Sequence, residues 1–180
     1  MVRAVFLDRD GVINANLTRH GKPVAPTSLA EFRFLPGIDE AARRLKDAGF
    51  LLVIVTNQPD IANGITPLGA MEAMHAEIRR ALPIDDVAIC FHTDADRCSC
   101  RKPKPGLILD AAAKHAIDLG GSYLVGDRWR DVLAGQAAGC GCTIMIDHGV
   151  QQDQPCTPDK IVHSPLEAAQ FILDREAGAG

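Results

Sequence analysis

A series of short, continuous apolar segments constrains the fold of this chain more than any other feature of its sequence. The segments do not alternate with polar residues, so each suits a strand that is buried on both faces of a parallel sheet. Five such segments lie at residues 4–7, 51–55, 87–89, 123–125 and 143–146, and residues 160–162 are a candidate for a sixth strand. Apolar residues at helical spacing fill the intervals between them. Strands that alternate with helices predict an α/β fold with a doubly wound, Rossmann-like parallel sheet.

The composition is that of a globular protein rather than a disordered or membrane-spanning one. The 180 residues, 47% hydrophobic and 23% charged, suit one domain, which we assign to residues 1–175, with residues 176–180 as a flexible tail. The longest apolar run, residues 50–55, is too short to cross a bilayer, and Asp8 interrupts the first apolar stretch at once. We therefore expect a cytoplasmic protein that does not bind membranes. The net charge of −4 argues against nucleic acid as a partner, and a monomer is the default assumption.

Polar and charged side chains follow three of the predicted strands. Asp8 and Asp10 come directly after the first strand, Thr56 ends the second, and Asp127 follows the fourth. Two carboxylates at a strand end can hold a divalent cation or carry out covalent chemistry, although each feature alone is also compatible with an ordinary turn. Ligands of doubly wound sheets bind beyond the carboxyl ends of the strands, so we expect these residues to converge there.

Four candidate metal ligands are clustered shortly after the third predicted strand. They are Cys90, His92, Cys98 and Cys100. Three thiolates and one imidazole suit tetrahedral Zn²⁺ in a structural role; the alternative is a chance cluster of reduced thiols. The basic pair Arg101 and Lys102 follows directly, so a bound metal would fix the loop that places Lys102.

The order of these motifs resembles that of the haloacid dehalogenase superfamily of phosphatases and phosphotransferases. The matching segments are residues 8–12, 56–58, 101–103 and 126–131. The resemblance implies that Asp8 attacks phosphorus to form an aspartyl-phosphate, while Asp10 acts first as general acid and then as base. It also implies a Mg²⁺ ion held by the Asp8 carboxylate, the Asp10 carbonyl and Asp127. Thr56 and Lys102 would hold the oxygens of the transferred phosphoryl group.

The cysteine cluster narrows the resemblance to the branch that contains the heptose-bisphosphate and histidinol-phosphate phosphatases. We expect the substrate to be D-glycero-D-manno-heptose 1,7-bisphosphate, which would lose its 7-phosphate, because Arg101, Lys102 and Arg128 concentrate positive charge in an acidic protein. Arg9 and Asn57 are predicted to add substrate contacts. The interval between Asp10 and the first helix is too short for a folded cap domain, so the protein should be capless, with residues 14–35 as a lid.

Several alternatives remain open. The short loop between His92 and Cys98 is closer to the histidinol-phosphatase form, and residues 59–60 depart from the usual Ser-Gly. Histidinol phosphate or another small sugar phosphate is therefore an alternative substrate. Transfer of the phosphoryl group to an acceptor other than water is another possibility. A metal-stabilised binding module without turnover is a rival of a different class, although such a module needs no acid/base carboxylate.

Overall fold

A computed structural model describes residues 1–150 and 155–178 of the chain. The strands are β1 Ala4–Leu7, β2 Leu17–Arg19, β3 Lys22–Val24, β4 Leu51–Asn57, β5 Asp86–Cys90, β6 Tyr123–Gly126, β7 Cys142–Ile146 and β8 Lys160–Val162. The helices are α1 Ile38–Asp47, α2 Pro59–Ala62, α3 Leu68–Ala81, α4 Gly106–His115, α5 Trp129–Ala138 and α6 Pro165–Gly178. All six strands expected from the apolar segments form.

Six strands form one parallel sheet in the order β5-β4-β1-β6-β7-β8. The chain first builds outward from β1 through β4 to β5, then returns to the other side of β1 with β6. The strand order thus reverses at β1, where a doubly wound sheet opens its ligand-binding crevice. The α/β fold class is confirmed.

The central strand shows why its apolar run is continuous. Val5 and Leu7 belong to the core on the face covered by α1, α3 and α6, whereas Ala4 and Phe6 belong to the core on the face covered by α4 and α5. Successive side chains point to opposite faces of a strand, so a strand covered on both faces needs apolar residues at every position. All four residues are buried.

The interval between β1 and α1 contains loops and the antiparallel hairpin β2–β3. The hairpin was not expected, because the sequence there shows only a polar connection. The interval between β1 and α1 and the interval between β4 and α4 both lie wholly within the described ranges, and neither contains a folded cap domain. Within those ranges, no helix has the combination of length and apolar character required to cross a bilayer.

Helix α6 continues to Gly178, so residues 176–178 of the expected flexible tail are helical. The Glu176 carboxylate accepts a hydrogen bond from the Tyr123 hydroxyl at 2.6 Å and pairs with Arg3. These contacts with the sheet stabilise the last turns of the helix. Residues 179 and 180 lie outside the described part of the chain.

Candidate active site

The site is assembled at the carboxyl edge of the three central strands, β4, β1 and β6. Because the strands are parallel, their ends meet at one edge and bring together Asp8, Thr56 and Asp127. The loop before α4 adds Lys102, whose backbone is clamped by Asn57. Asn57 Nδ2 donates to the Lys102 carbonyl, and the Lys102 N–H donates to Asn57 Oδ1, both at 3.1 Å.

Lys102 is a buried cation between two carboxylates. Its ammonium donates to Asp8 Oδ1 and to the Val55 carbonyl, both at 2.8 Å, and also to Asp131 Oδ1. Burial opposes the charged form of this lysine, but the carboxylates of Asp131 and Asp8 outweigh that effect and raise its pKa. Lys102 therefore stays protonated and holds the Asp8 side chain in one orientation.

Asp8, Asp127 and Asp131 crowd negative charge into a buried space. Each offers a carboxylate oxygen, and these oxygens all lie within 4.8 Å of one another. Burial, followed by the charge of Asp131, raises the pKa of Asp8 to about 7, against the lowering effect of Lys102. Burial and the charge of Asp8 raise the pKa of Asp127 to about 8. Within the described residues, two cations face these three carboxylates: Lys102, and Arg128, whose Nε donates to Asp127 Oδ2 at 3.2 Å. A cluster of hard oxygen donors with excess negative charge fits a divalent cation.

Gly11 makes the close packing of this cluster possible. Its φ angle of +88° lies in the left-handed region, and a Cβ atom there would stand 2.2 Å from Asp127 Oδ2. Any larger residue would both strain the backbone and push Asp127 aside. Gly11 is thus required both by its own backbone conformation and by the neighbouring carboxylate.

Four donor groups from three side chains fix the carboxylate of Asp10. Gln58 Nε2 donates to Oδ2 at 2.7 Å and Asn14 Nδ2 donates to Oδ1 at 3.0 Å. The Arg9 guanidinium adds a fork, with Nη2 at 2.9 and 3.0 Å from the two oxygens and Nε at 3.1 Å from Oδ1. Gln58 Nε2 also donates to Thr56 Oγ1 at 3.0 Å, which ties the Thr56 hydroxyl to the same network.

A cavity of about 190 Å³ opens over these side chains. Six of the predicted site residues line it: Asp8, Asp10, Asn57, Lys102, Asp127 and Arg128. Thr56 is buried beside Gln58 and is not among the residues that line it. The cavity also reaches the hairpin through Asn16 and Pro23, so the segment expected to act as a lid forms part of the wall.

The structure does not bring two predicted substrate-binding arginines to this cavity. Arg9 is fully buried against Asp10. Arg101 turns toward the cysteine loop, where Nε donates to Asp94 Oδ1 at 2.8 Å and Nη1 to the His92 carbonyl at 3.1 Å. Arg101 pairs with an acid seven residues before it, so its charge is directed away from the pocket.

Sequence reasoning missed several residues that shape the site. They are Asn14, Asn16, Gln58, Arg130 and Asp131. Asp131 is the last residue of the matching segment 126–131, but no site role is predicted for it there. It accepts the Arg128 N–H at 3.0 Å, and its other oxygen binds Lys102. The spacing of Asp131 after Asp127 was the available signal. Asn16, the residue before β2, donates to Asp127 Oδ2 at 3.1 Å, and no local pattern indicated it.

The four predicted zinc ligands meet beside this site. His92 Nδ1 lies 3.5 Å from Cys90 Sγ and 3.3 Å from Cys100 Sγ, and the three sulfur atoms lie 3.1 to 3.8 Å apart. All three cysteines are free thiols. Tetrahedral Zn²⁺ with Zn–S bonds near 2.3 Å places its sulfur ligands about 3.8 Å apart. The donor set and its spacing therefore fit a zinc ion with small adjustments.

Known proteins share both this sequence and this fold. The HAD-hydrolase-like family model matches residues 99–168. The chain is 37% identical over 188 residues to the D-glycero-beta-D-manno-heptose-1,7-bisphosphate 7-phosphatase of Yersinia pestis, covering 97% of each protein. It is also 37% identical over 144 residues to the same-named protein of Bordetella bronchiseptica, covering 77% of this chain and 78% of that one.

A solved crystal structure supports the same family assignment. The crystal structure of the D,D-heptose 1,7-bisphosphate phosphatase from B. bronchiseptica, complexed with magnesium and phosphate, matches with a TM-score of 0.84 at 30% identity. The match covers 97% of this chain and 99% of that one. The chain therefore belongs to the haloacid dehalogenase superfamily, and it is a phosphatase. Within that superfamily, the relatives described above carry the name of one enzyme, the heptose-bisphosphate 7-phosphatase.

Proposed function

We propose that this protein removes the 7-phosphate of D-glycero-D-manno-heptose 1,7-bisphosphate by Mg²⁺-dependent hydrolysis through an aspartyl-phosphate on Asp8. The observation that carries the chemistry is the buried Asp8 carboxylate, held by Lys102 and facing a cavity beside Asp127. The heptose assignment is supported by the relatives, which align over nearly the full chain and carry that name.

The side chains divide the reaction between them. Lys102 binds Asp8 Oδ1, so Asp8 Oδ2 remains available to attack phosphorus. The attack displaces the sugar oxygen and forms the acyl phosphate on Asp8. Asp10 gives its proton to the departing sugar oxygen and then takes a proton from the water that hydrolyses the acyl phosphate. Lys102 and the Thr56 hydroxyl stabilise the charge on the transferred phosphoryl oxygens.

Asp8, the Asp10 carbonyl and Asp127 would hold the magnesium ion. When bound, it supplies the positive charge that offsets the repulsion between an anionic nucleophile and an anionic phosphate. Among the described residues, the three carboxylates outnumber Lys102 and Arg128, the two cations that pair with them, and this excess of negative charge supports the assignment.

The pKa values of these carboxyls predict how magnesium binding depends on pH. With pKa values of about 7 and 8, Asp8 and Asp127 hold protons at pH 6 that Mg²⁺ must displace. We expect the dissociation constant for Mg²⁺, measured by calorimetry, to rise about tenfold or more from pH 8 to pH 6. An equal constant at both values would contradict the account.

The same groups predict a pH dependence of stability without metal. An unperturbed aspartate has a pKa of 3.8, so between about pH 4 and pH 8 the native state binds protons that the unfolded chain has lost. The free energy of unfolding of the metal-free protein should therefore fall as pH rises through this window. Saturating Mg²⁺ should reduce that fall in urea titrations, whereas an identical slope with and without Mg²⁺ would argue against a cation among these carboxylates.

We further propose that Cys90, His92, Cys98 and Cys100 bind a structural zinc ion. The Arg101 N–H lies 3.4 Å from Cys98 Sγ, so the metal would fix the chain directly before Lys102. Protein purified without chelator should contain about one zinc per chain, and Cys98→Ser should lower both zinc content and kcat. Cys156→Ser, outside the cluster, is the matched control. Zinc-free but fully active wild-type protein would overturn the assignment.

A substrate panel tests the proposed function. Phosphate release with Mg²⁺ would be measured from the α and β anomers of the heptose bisphosphate, histidinol phosphate and fructose 1,6-bisphosphate. We expect the highest kcat/KM with one heptose anomer. Comparable kcat/KM for histidinol phosphate would remove the heptose assignment, and no release from any compound would favour the binding module.

A further inference from the structure

Arg9 has two hydrogen-bonding edges, and only one of them faces Asp10. The side chain is completely buried. The Nε and Nη2 edge forks onto the Asp10 carboxylate, while Nη1 on the other side lies 3.4 Å from His75 Nε2. A guanidinium buried this deeply keeps its orientation only if its remaining N–H groups also find acceptors.

His75 reaches this position from α3, on the face that is buried against the sheet. Its neighbours on that face are Met71, Met74 and Ile78, and the imidazole is itself buried. Burial, followed by the positive charge of Arg9, lowers the pKa of His75 to about 4. The ring is therefore neutral near pH 7, and its unprotonated Nε2 can accept a hydrogen bond from Arg9.

We infer that His75 is a positioning residue for the proposed general acid: it holds Arg9, and Arg9 holds the carboxylate of Asp10. His75 lies outside the cavity that would receive the substrate, so it acts only through Arg9. The inference rests on the proposed function, in which Asp10 protonates the leaving oxygen.

If His75 positions the general acid, the effect of replacing His75 should depend on the leaving group. A sugar oxygen is a poor leaving group and needs the proton from Asp10, whereas nitrophenolate departs without one. A misplaced Asp10 should therefore slow phosphoryl transfer from a sugar phosphate more than transfer from nitrophenyl phosphate. A general loss of packing would slow both to the same extent.

The experiment compares His75→Leu and His75→Gln with wild type on both substrates under single-turnover conditions with Mg²⁺. For His75→Leu, we expect the rate of phosphoryl transfer from the heptose bisphosphate to fall about tenfold more than the rate of nitrophenolate release from nitrophenyl phosphate. The ratio of the two rates does not depend on the folded fraction. The amide oxygen of His75→Gln can accept from Arg9 and should restore the ratio to within about threefold of wild type. Met71→Leu, on the same buried face, is the control and should leave the ratio unchanged.

Each outcome decides between distinct claims. A shifted ratio in His75→Leu, with recovery in His75→Gln, supports the positioning role. Wild-type rates with both substrates in His75→Leu overturn it while leaving the proposed function intact. Equal losses with both substrates also overturn it, because they mean that His75 only packs. Wild-type protein that hydrolyses neither substrate would instead refute the proposed function.

Discussion

Replacing Asp8 by Asn should lower kcat by about 10⁴-fold or more while the fold is retained. The amide has nearly the shape of the carboxylate, but it is not a nucleophile toward phosphorus. It also removes one negative charge from a group of three buried carboxylates, so the metal-free variant should be at least as stable as wild type. Phosphate release in steady state and urea unfolding measure the two effects.

The matched control is Asp110→Asn, which alters an exposed acid on α4 that does not line the cavity. It should keep wild-type kcat and stability. Substantial phosphate release by Asp8→Asn, beyond what residual wild-type protein explains, would contradict the assignment of the nucleophile.

Replacing Lys102 by Met should have the second-largest effect, on activity and stability together. The variant keeps the side-chain length but removes the cation that binds Asp8 and Asp131. We expect kcat to fall about 10³-fold, because Asp8 loses its orientation and the transferred phosphoryl group loses a positive partner. Removing one member of a buried ion pair costs about 3–5 kcal/mol of unfolding free energy.

The loss of stability should depend on pH. Lys102 lowers the pKa of Asp8, so without it the carboxylates repel each other more strongly as they ionise. The variant should therefore be more destabilised, relative to wild type, at pH 8 than at pH 6, and Mg²⁺ should restore part of the difference. Lys114→Met, which removes an exposed ion pair with Asp86, should change stability by less than about 1 kcal/mol. Equal destabilisation by the two lysine variants would refute the buried role of Lys102.

Much of the fold could be predicted from the sequence because the strands are buried on both faces of the sheet. The β1 segment could be predicted to the residue because every position contacts a core, which leaves an uninterrupted apolar signal. The hairpin β2–β3 gave no such signal, since it is only three residues per strand and contains Pro23. Its turn is marked only by His20 and Gly21, both with positive φ, and a Gly at the second turn position is the one local signature of this hairpin.

Most of the predictable site residues lie next to strand ends, and Lys102, in the loop before α4, was predicted from the order of the motifs. Asp8, Thr56 and Asp127 are placed by the parallel sheet, so order along the chain was sufficient. Arg9 follows Asp8 directly, yet its contact with His75 joins residues 66 positions apart, and no local pattern reports such a pairing. Arg101 shows the converse: its type suggested a phosphate ligand, but Asp94 determines where it points.

The most direct test of the central claim is to trap the covalent intermediate. Wild-type protein with Mg²⁺ and heptose 1,7-bisphosphate would be quenched with acid within one turnover, and its peptides analysed by mass spectrometry. We predict one added phosphoryl group on the peptide that contains Asp8, which disappears as inorganic phosphate is released and is absent from Asp8→Asn. A burst of phosphate with no modified peptide, or a phosphoryl group on another residue, would contradict the account.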